Sequence, residues 1–254
     1  MDEKHAKRLK NKIYIAATTV KNCVLGAEVA EDPYAKSLTK AYSVFANESR
    51  NIDPGYMPKS VNIDGWDATK LAMSALFTGI VIIHCFLHGF IKIRNRCRKS
   101  EIFDVICGKV WHVYKSDNKK TFAQRLRRFK DWANKHVKMP GTLSKILALC
   151  GKSKLYQTAY DHPDGYRTSN AIDRSLKQLK KSIVTRQNFH GSLKTTNNSV
   201  RSWALLHNYH PYCLKKVKSR DIYMSPATEL NGFYYSGNWL KNLVISSSMN
   251  GYRQ

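Results

Sequence analysis

Acidic residues are scarce in this chain: its 254 residues include 18 Asp and Glu against 43 Lys and Arg, a formal net charge of +25 at pH 7. The excess runs from Lys4 to Arg253 instead of sitting in one tail. An imbalance of that size costs self-repulsion that a phosphate backbone would relieve, so a polyanion is the expected partner. Cysteine pairing is missing too. Cys23, Cys85, Cys97, Cys107, Cys150 and Cys213 form no C-x-x-C pair, and no signal-peptide pattern precedes Lys4. A disulfide framework is therefore not expected, and a reducing cytoplasm fits the pattern. Nor is there an internal repeat or a low-complexity segment.

Hydrophobic residues make up 43% of the chain and aromatics 11%, too apolar for a disordered tail. The length suits one sizeable core, or a core with an inserted subdomain. One apolar run, Leu71 to Ile91 between Lys70 and Lys92, is about a membrane's width in length. Thr78-Gly79 interrupts it, His84 and His88 lie within it, and β-branched residues cluster only at Ile80 to Ile83. That pattern predicts helix, turn, buried strand and helix rather than a membrane span. A membrane-associated basic protein would rest on this run alone.

Lys12 to Val20 and Cys23 to Val29 are β-rich runs separated by Lys21-Asn22, a predicted hairpin. Tyr34 to Asn47 carries Leu38, Ala41, Tyr42 and Phe45 at helical spacing, and Ser60 to Ile63 resumes as a strand. Strands alternating with helices predict an α/β layer with some parallel pairing. From about Ser100 the strands stop. Thr121 to Val137 places Phe122, Leu126, Phe129 and Ala133 on one helical face, with Arg125, Arg127, Arg128 and Lys130 around the rest as a DNA-facing surface. A helix from about Ser169 buries Ile172, Leu176, Leu179 and Ile183, and another covers Asn198 to Leu206. Tyr209 to Gln254 is poorly periodic and is expected to be a tail packed on the domain. Trp66, Trp111 and Trp132 are expected in the core.

Phosphoryl transfer on a polynucleotide asks for carboxylates held together around two metal ions. Asp64 follows the Ser60 to Ile63 strand and precedes Gly65, a turn that can lift a carboxylate above a sheet. Its structural alternative is to cap the next helix, a role that Asp67 can take instead. Cys85 and His88 alone give half of a zinc site, and no second pair stands at suitable spacing, so a buried thiol beside a histidine is expected.

Taken together, Asn62-Ile63-Asp64-Gly65-Trp66, then Cys85-Phe86-Leu87-His88, then Arg167-Thr168-Ser169-Asn170-Ala171-Ile172-Asp173-Arg174 resemble DDE-type transposases of the Mutator-like and insertion-sequence kind. Ser225-Pro226-Ala227-Thr228-Glu229 is similar to a segment near transposase C-termini. The resemblance implies an α/β fold with a ribonuclease-H-like mixed sheet flanked by helices and interrupted by an all-helical insertion. The implied boundaries are 1–98 for the first part of the core, 99–163 for the insertion, 164–210 for the second part of the core and 211–254 for the tail. It also implies that Asp2, Asp64 and Asp173 bind Mg²⁺ or Mn²⁺ and cut and join DNA, with Cys85, His88, Arg167 and Asn170 supporting them. Implied partners are the DNA of element ends and target, with a homo-oligomer on DNA, no membrane, and a cytoplasmic, nucleoid-associated location.

Asp173 stands where the family carries Glu, and Asp2 follows Met1 directly. A truncated, catalytically weak or inactive transposase-derived DNA-binding protein is the second expectation, with Asp2 poorly held at a frayed end.

Overall fold

Three antiparallel strands begin the chain, β1 (Asp2–Arg8), β2 (Asn11–Val20) and β3 (Cys23–Ala30). The helix α1 (Ala35–Ile52) follows, then β4 (Ser60–Ile63), α2 (Asp67–Leu76), β5 (Val81–His84) and α3 (Phe86–Cys97). Next come α4 (Phe103–Tyr114), α5 (Lys119–His136), α6 (Pro140–Gly151), α7 (Ser153–Asp161), α8 (Asn170–Thr185) and α9 (Leu193–Tyr209). Two further helices are α10 (Pro226–Asn231) and α11 (Trp239–Ser248). This computed structural model describes residues 2–215, 217, 224–233 and 235–248. The architecture is mixed α/β with small sheets. No helix among the described residues is long and apolar enough to cross a membrane. The run from Leu71 to Ile91 instead contributes to α2, β5 and α3 with a turn between, as its interruptions predict.

The chain divides into two compact units, Met1–Met57 with Trp66–Gly79 and Asn170–Gln254, and Pro58–Gly65 with Ile80–Ser169. In the first unit β1 pairs with β2 from Asp2 opposite Ala17 to Arg8 opposite Asn11. The connecting residues Leu9 and Lys10 both have positive φ, 46° and 70°, a backbone hand that follows the twist of the strands. Asp2 thus enters a ladder with its backbone paired, which corrects the expectation of a frayed end. One face of the sheet presents Ala6, Ile13, Ile15 and Ala17 to Ile172, Leu176, Leu179 and Ile183 of α8 and to Val200 and Ala204 of α9. Each Val, Leu or Ile in this set stabilises by about 1.5–3 kcal/mol when removed from water, and β1 contributes only Ala6 to it. The other face carries α1, through buried Leu38, Ala41, Tyr42 and Phe45.

The outer edge of β3 is closed by asparagines. Asn208 accepts the Val24 N–H at 2.8 Å and donates Nδ2 to the Val24 carbonyl at 2.7 Å, while Asn197 accepts the Val29 N–H at 2.8 Å. A helix rises about 1.5 Å per residue and a strand about 3.3 Å, so the α9 span from 197 to 208 matches the β3 span from 24 to 29. The helix serves as the missing neighbour of an edge strand.

In the second unit β4 and β5 are parallel, in register from Ser60 with Val81 to Ile63 with His84. Four helices, α4 to α7, occupy Phe103 to Asp161, and α5 buries the predicted stripe of Phe122, Leu126, Phe129 and Ala133. These pack with Phe86, Phe90 and Ile93 of α3 and Ile146 and Leu149 of α6. A Cβ on Gly89 would stand 2.8 Å from Leu149 Cδ1 and 3.0 Å from Tyr156 Oη, so this glycine lets α6 and α7 approach α3. None of the three tryptophans expected in the core is fully buried. Trp66 and Trp132 are half-buried and Trp111 keeps 36% of its surface exposed, because an indole is too large to be enclosed easily.

The segment expected to pack on the domain as a poorly periodic tail contains α10 and α11. Ser225 and Thr228 form a reciprocal capping box at the start of α10, Pro226 occupies its first turn, and Gly232 closes it with φ 77°. Glu229 accepts from Asn22 Nδ2 at 3.2 Å and from the Tyr212 hydroxyl at 2.7 Å, which fastens α10 to the β2–β3 turn.

Candidate active site at the carboxyl ends of two parallel strands

In parallel sheets chemistry collects where the strands end, because the following turns project side chains free of the ladder. Here β4 ends at Ile63, and the Cys85 N–H extends the pairing by donating to the Ile63 carbonyl at 2.8 Å. Asp64 follows, half-buried, and then Gly65 with φ +92°. An L side chain is strained at that φ. A Cβ there would also lie 3.1 Å from Nδ1 of His84, the last residue of β5. Glycine therefore brings the Asp64 turn against the imidazole. The next helix, α2, has Trp66 at its N-cap, not Asp67, which lies in the first turn, where a carboxylate complements the helix dipole.

Cys85 and His88 start α3 and meet a segment distant in sequence. The Ser169 N–H and Oγ–H both donate to Cys85 Sγ at 3.3 Å, and Ser169 Oγ lies 3.2 Å from His88 Nδ1. Serine has a single hydroxyl proton. With that proton directed at sulfur, the contact with the histidine runs from Nδ1–H to Oγ. Burial would push the Cys85 thiol up, but hydrogen bonds from His88 and Ser169 outweigh it and hold the thiol below its ordinary value. The thiol is a buried partner of the histidine, as its isolation from any second Cys/His pair predicts.

Arg167 holds the incoming segment. Its guanidinium lies between the rings of Tyr114 and Tyr160, 4.8 and 4.6 Å from their centroids, and Nη2 donates to the Tyr114 carbonyl at 3.0 Å and to Tyr160 Oη at 2.8 Å. Asn62 of β4 donates Nδ2 to the Tyr166 carbonyl at 2.7 Å. These contacts fix the chain just before Ser169.

Asp173 and Asn170 belong to the first unit. Asp173 is half-buried in the first turn of α8, and Asn170 is exposed at its first position. The backbone of Asp2 is in β1; its side chain lies outside the described residues. Among the described residues no group of three His, Cys, Asp or Glu is placed to hold a metal ion. In donor type, the carboxylate oxygens of Asp64 and Asp173 suit a hard divalent cation. On α5, Arg127, Arg128 and Lys130 are exposed, whereas Arg125 is half-buried and donates to the His112 carbonyl at 2.9 Å.

No role for Ser169, His84 or Glu3 was expected from the sequence. His84 had a usable signal, a polar residue closing an apolar strand level with Asp64. Ser169 lay within the segment that carries the resemblance, but its contacts, 84 and 81 residues away, are tertiary. Glu3 is buried and accepts from the Tyr42 hydroxyl at 2.6 Å and Thr69 Oγ1 at 2.7 Å, tying β1 to α1 and α2. Comparison with known proteins adds nothing to this geometry: no family model matches the chain, and no curated protein does.

Proposed function

We propose that the chain is a DDE-type transposase catalytic domain, or a descendant of one, which cleaves DNA strands and transfers them. The observation that carries this reading is the junction at Ser169. Two segments chosen from sequence for their resemblance to that family, Cys85-x-x-His88 and Arg167-Thr168-Ser169-Asn170, meet at Ser169, beside the end of the strand that Asp64 follows. The element order β-β-β-α-β-α-β, followed by helices, supports a ribonuclease-H-like core with a helical insertion over 99–163.

In this reading Asp64, Asp173 and Asp2 would hold Mg²⁺ or Mn²⁺, which would supply Lewis-acid activation of a water or 3′-hydroxyl and charge stabilisation for a leaving oxygen. The chain's own residues do the positioning. Gly65 sets the direction of the Asp64 carboxylate, Ser169 locks the His88 ring, and the net charge of +25 attracts the duplex, on which a homo-oligomer would assemble.

The exposed Arg127, Arg128 and Lys130 favour a second reading, in which a transposase-derived chain binds DNA without cutting it. Nicking of supercoiled plasmid in Mg²⁺ or Mn²⁺, alongside duplex binding, separates the two. The first reading predicts nicking that Asp64→Ala and Asp173→Ala each reduce at least about 100-fold with binding kept. Binding without any nicking assigns the second reading, and nicking indifferent to both substitutions ends the first.

A further inference from the structure

We propose that Lys152 is a phosphate-binding residue of the Asp64 site, contacting the DNA backbone beside the carboxylate. The inference rests on the reading of the Asp64 turn as a phosphoryl-transfer site. Its starting point is the space above Gly65. A Cβ built there would lie 3.1 Å from His84 Nδ1 and 3.9 Å from Lys152 Nζ. The ammonium therefore hangs over the residue next to Asp64, on the bare backbone that this glycine leaves open.

The position of Lys152 is built rather than accidental. It is the single residue between α6 and α7. Its N–H donates to the Leu149 carbonyl at 3.1 Å, and its carbonyl accepts from Leu155 and Tyr156 at 3.0 and 3.3 Å, so its backbone is held by both helices. Those helices are set in turn by Gly89, the point on α3 where Leu149 and Tyr156 come closest. The side chain is exposed, so its ammonium is available to a ligand. A lysine ammonium is a compact point charge suited to a non-bridging phosphate oxygen, and at Asp64 it would offset the repulsion between that carboxylate and the phosphodiester.

The test uses the full chain and a short duplex DNA in Ca²⁺, which supports binding and slows cleavage. Lysines are acetylated with an amine-reactive ester and read by mass spectrometry, with exposed Lys36 of α1 as reference and fluorescence anisotropy as the measure of binding. Acetylation of Lys152 should fall at least about fivefold on saturation. Lys152→Gln should lower the slope of log affinity against log salt by about 0.9, the share of one phosphate contact, and Lys152→Arg should restore it. In Mg²⁺, Lys152→Gln should slow nicking about 10- to 100-fold, mainly in kcat, as loss of one charge-stabilising group does. Gly89→Ala, which displaces the α6–α7 junction, should give a smaller loss of the same kind. If duplex binds while Lys152 stays fully reactive, the proposal fails and DNA binding stands. If no duplex binds, both fail. Protection of Lys152 together with nicking indifferent to Asp64→Ala keeps the contact and removes the catalytic reading.

Discussion

Each unit buries a polar cluster built around an ionisable side chain. In the first, Glu3 accepts from Tyr42 and Thr69 through oxygen–oxygen bonds of 2.6 and 2.7 Å, the length of charge-assisted bonds to a carboxylate. In the second, Cys85 receives the Ser169 N–H and hydroxyl over 3.3 Å, and a histidine completes the group. In both, buried polar side chains hydrogen-bond to one another. The difference lies in where they stand. The Glu3 cluster ties β1 to α1 and α2 within the first unit. The Cys85 cluster stands where parallel strands end, next to the Asp64–Gly65 turn. Only the second cluster adjoins the ends of parallel strands, where side chains leave the ladder.

The strongest way to break that contrast is at Glu3. Glu3→Ala leaves two buried hydroxyls without their acceptor, a loss of about 3 kcal/mol in urea unfolding, whereas Glu3→Gln keeps an acceptor and costs about 1 kcal/mol. Specific nicking by whatever folded protein remains should fall less than stability does. A Glu3→Gln variant that is stable yet inactive would make this carboxylate part of the site and undo the comparison.

Hydrophobic pattern made much of the first unit readable, and its failures have definite causes. The β2–β3 hairpin, α1 and α8 announce themselves because apolar residues recur with the period of the element. In β1 only Ala6 and Glu3 are shown buried among charged neighbours, so pairing with β2, not its own pattern, makes it a strand. In α11 the amphipathic logic is inverted: Asn242 and Ser246 are buried, while Leu240 and Val244 are 51% and 56% exposed. Asn242 is satisfied by the backbone of Ser236 and Ser246 by the Tyr209 hydroxyl. A search for apolar periodicity passes over such a helix. At the candidate site, the Asp64–Gly65 turn and the Cys85–His88 spacing are local and were legible. Ser169 and Lys152 matter through tertiary contacts, which no local pattern encodes, whereas His84 closes an apolar strand and could have been read.

A smaller effect is expected at Gly65. Gly65→Ala meets two obstacles, a left-handed backbone and the 3.1 Å approach of His84 Nδ1. Together they should cost about 1–3 kcal/mol of stability. Nicking should fall more than tenfold, because the strain is relieved by moving Asp64. Adding His84→Ala separates the causes: it removes the steric part and leaves the φ cost. Full recovery of stability by the double variant would show that backbone strain plays no part, and Gly65 would then be a packing residue like Gly89.

The smallest expected effect distinguishes two buried thiols of the second unit by pH. Burial pushes Cys150 up to about 11, with Lys130 opposing and Asp131 adding to the shift, whereas the donors around Cys85 hold it below the ordinary 9.0. The signs are opposite. For Cys150 the unfolded chain loses its proton first as pH rises, so its contribution is complete below 9.0 and disappears as pH climbs through about 11. For Cys85 the folded chain loses its proton first, so stability is gained between its lowered value and 9.0 and is absent below that window. Urea unfolding across neutral to alkaline pH should therefore show Cys85→Ser flattening the rise on the way to 9.0, and Cys150→Ser removing part of the fall beyond it. Loss of the rise would mark the cluster at the strand ends as one that stores charge, in contrast to the Glu3 lock. A pH slope unchanged by Cys85→Ser would mean that Ser169 and His88 merely pack against a neutral thiol.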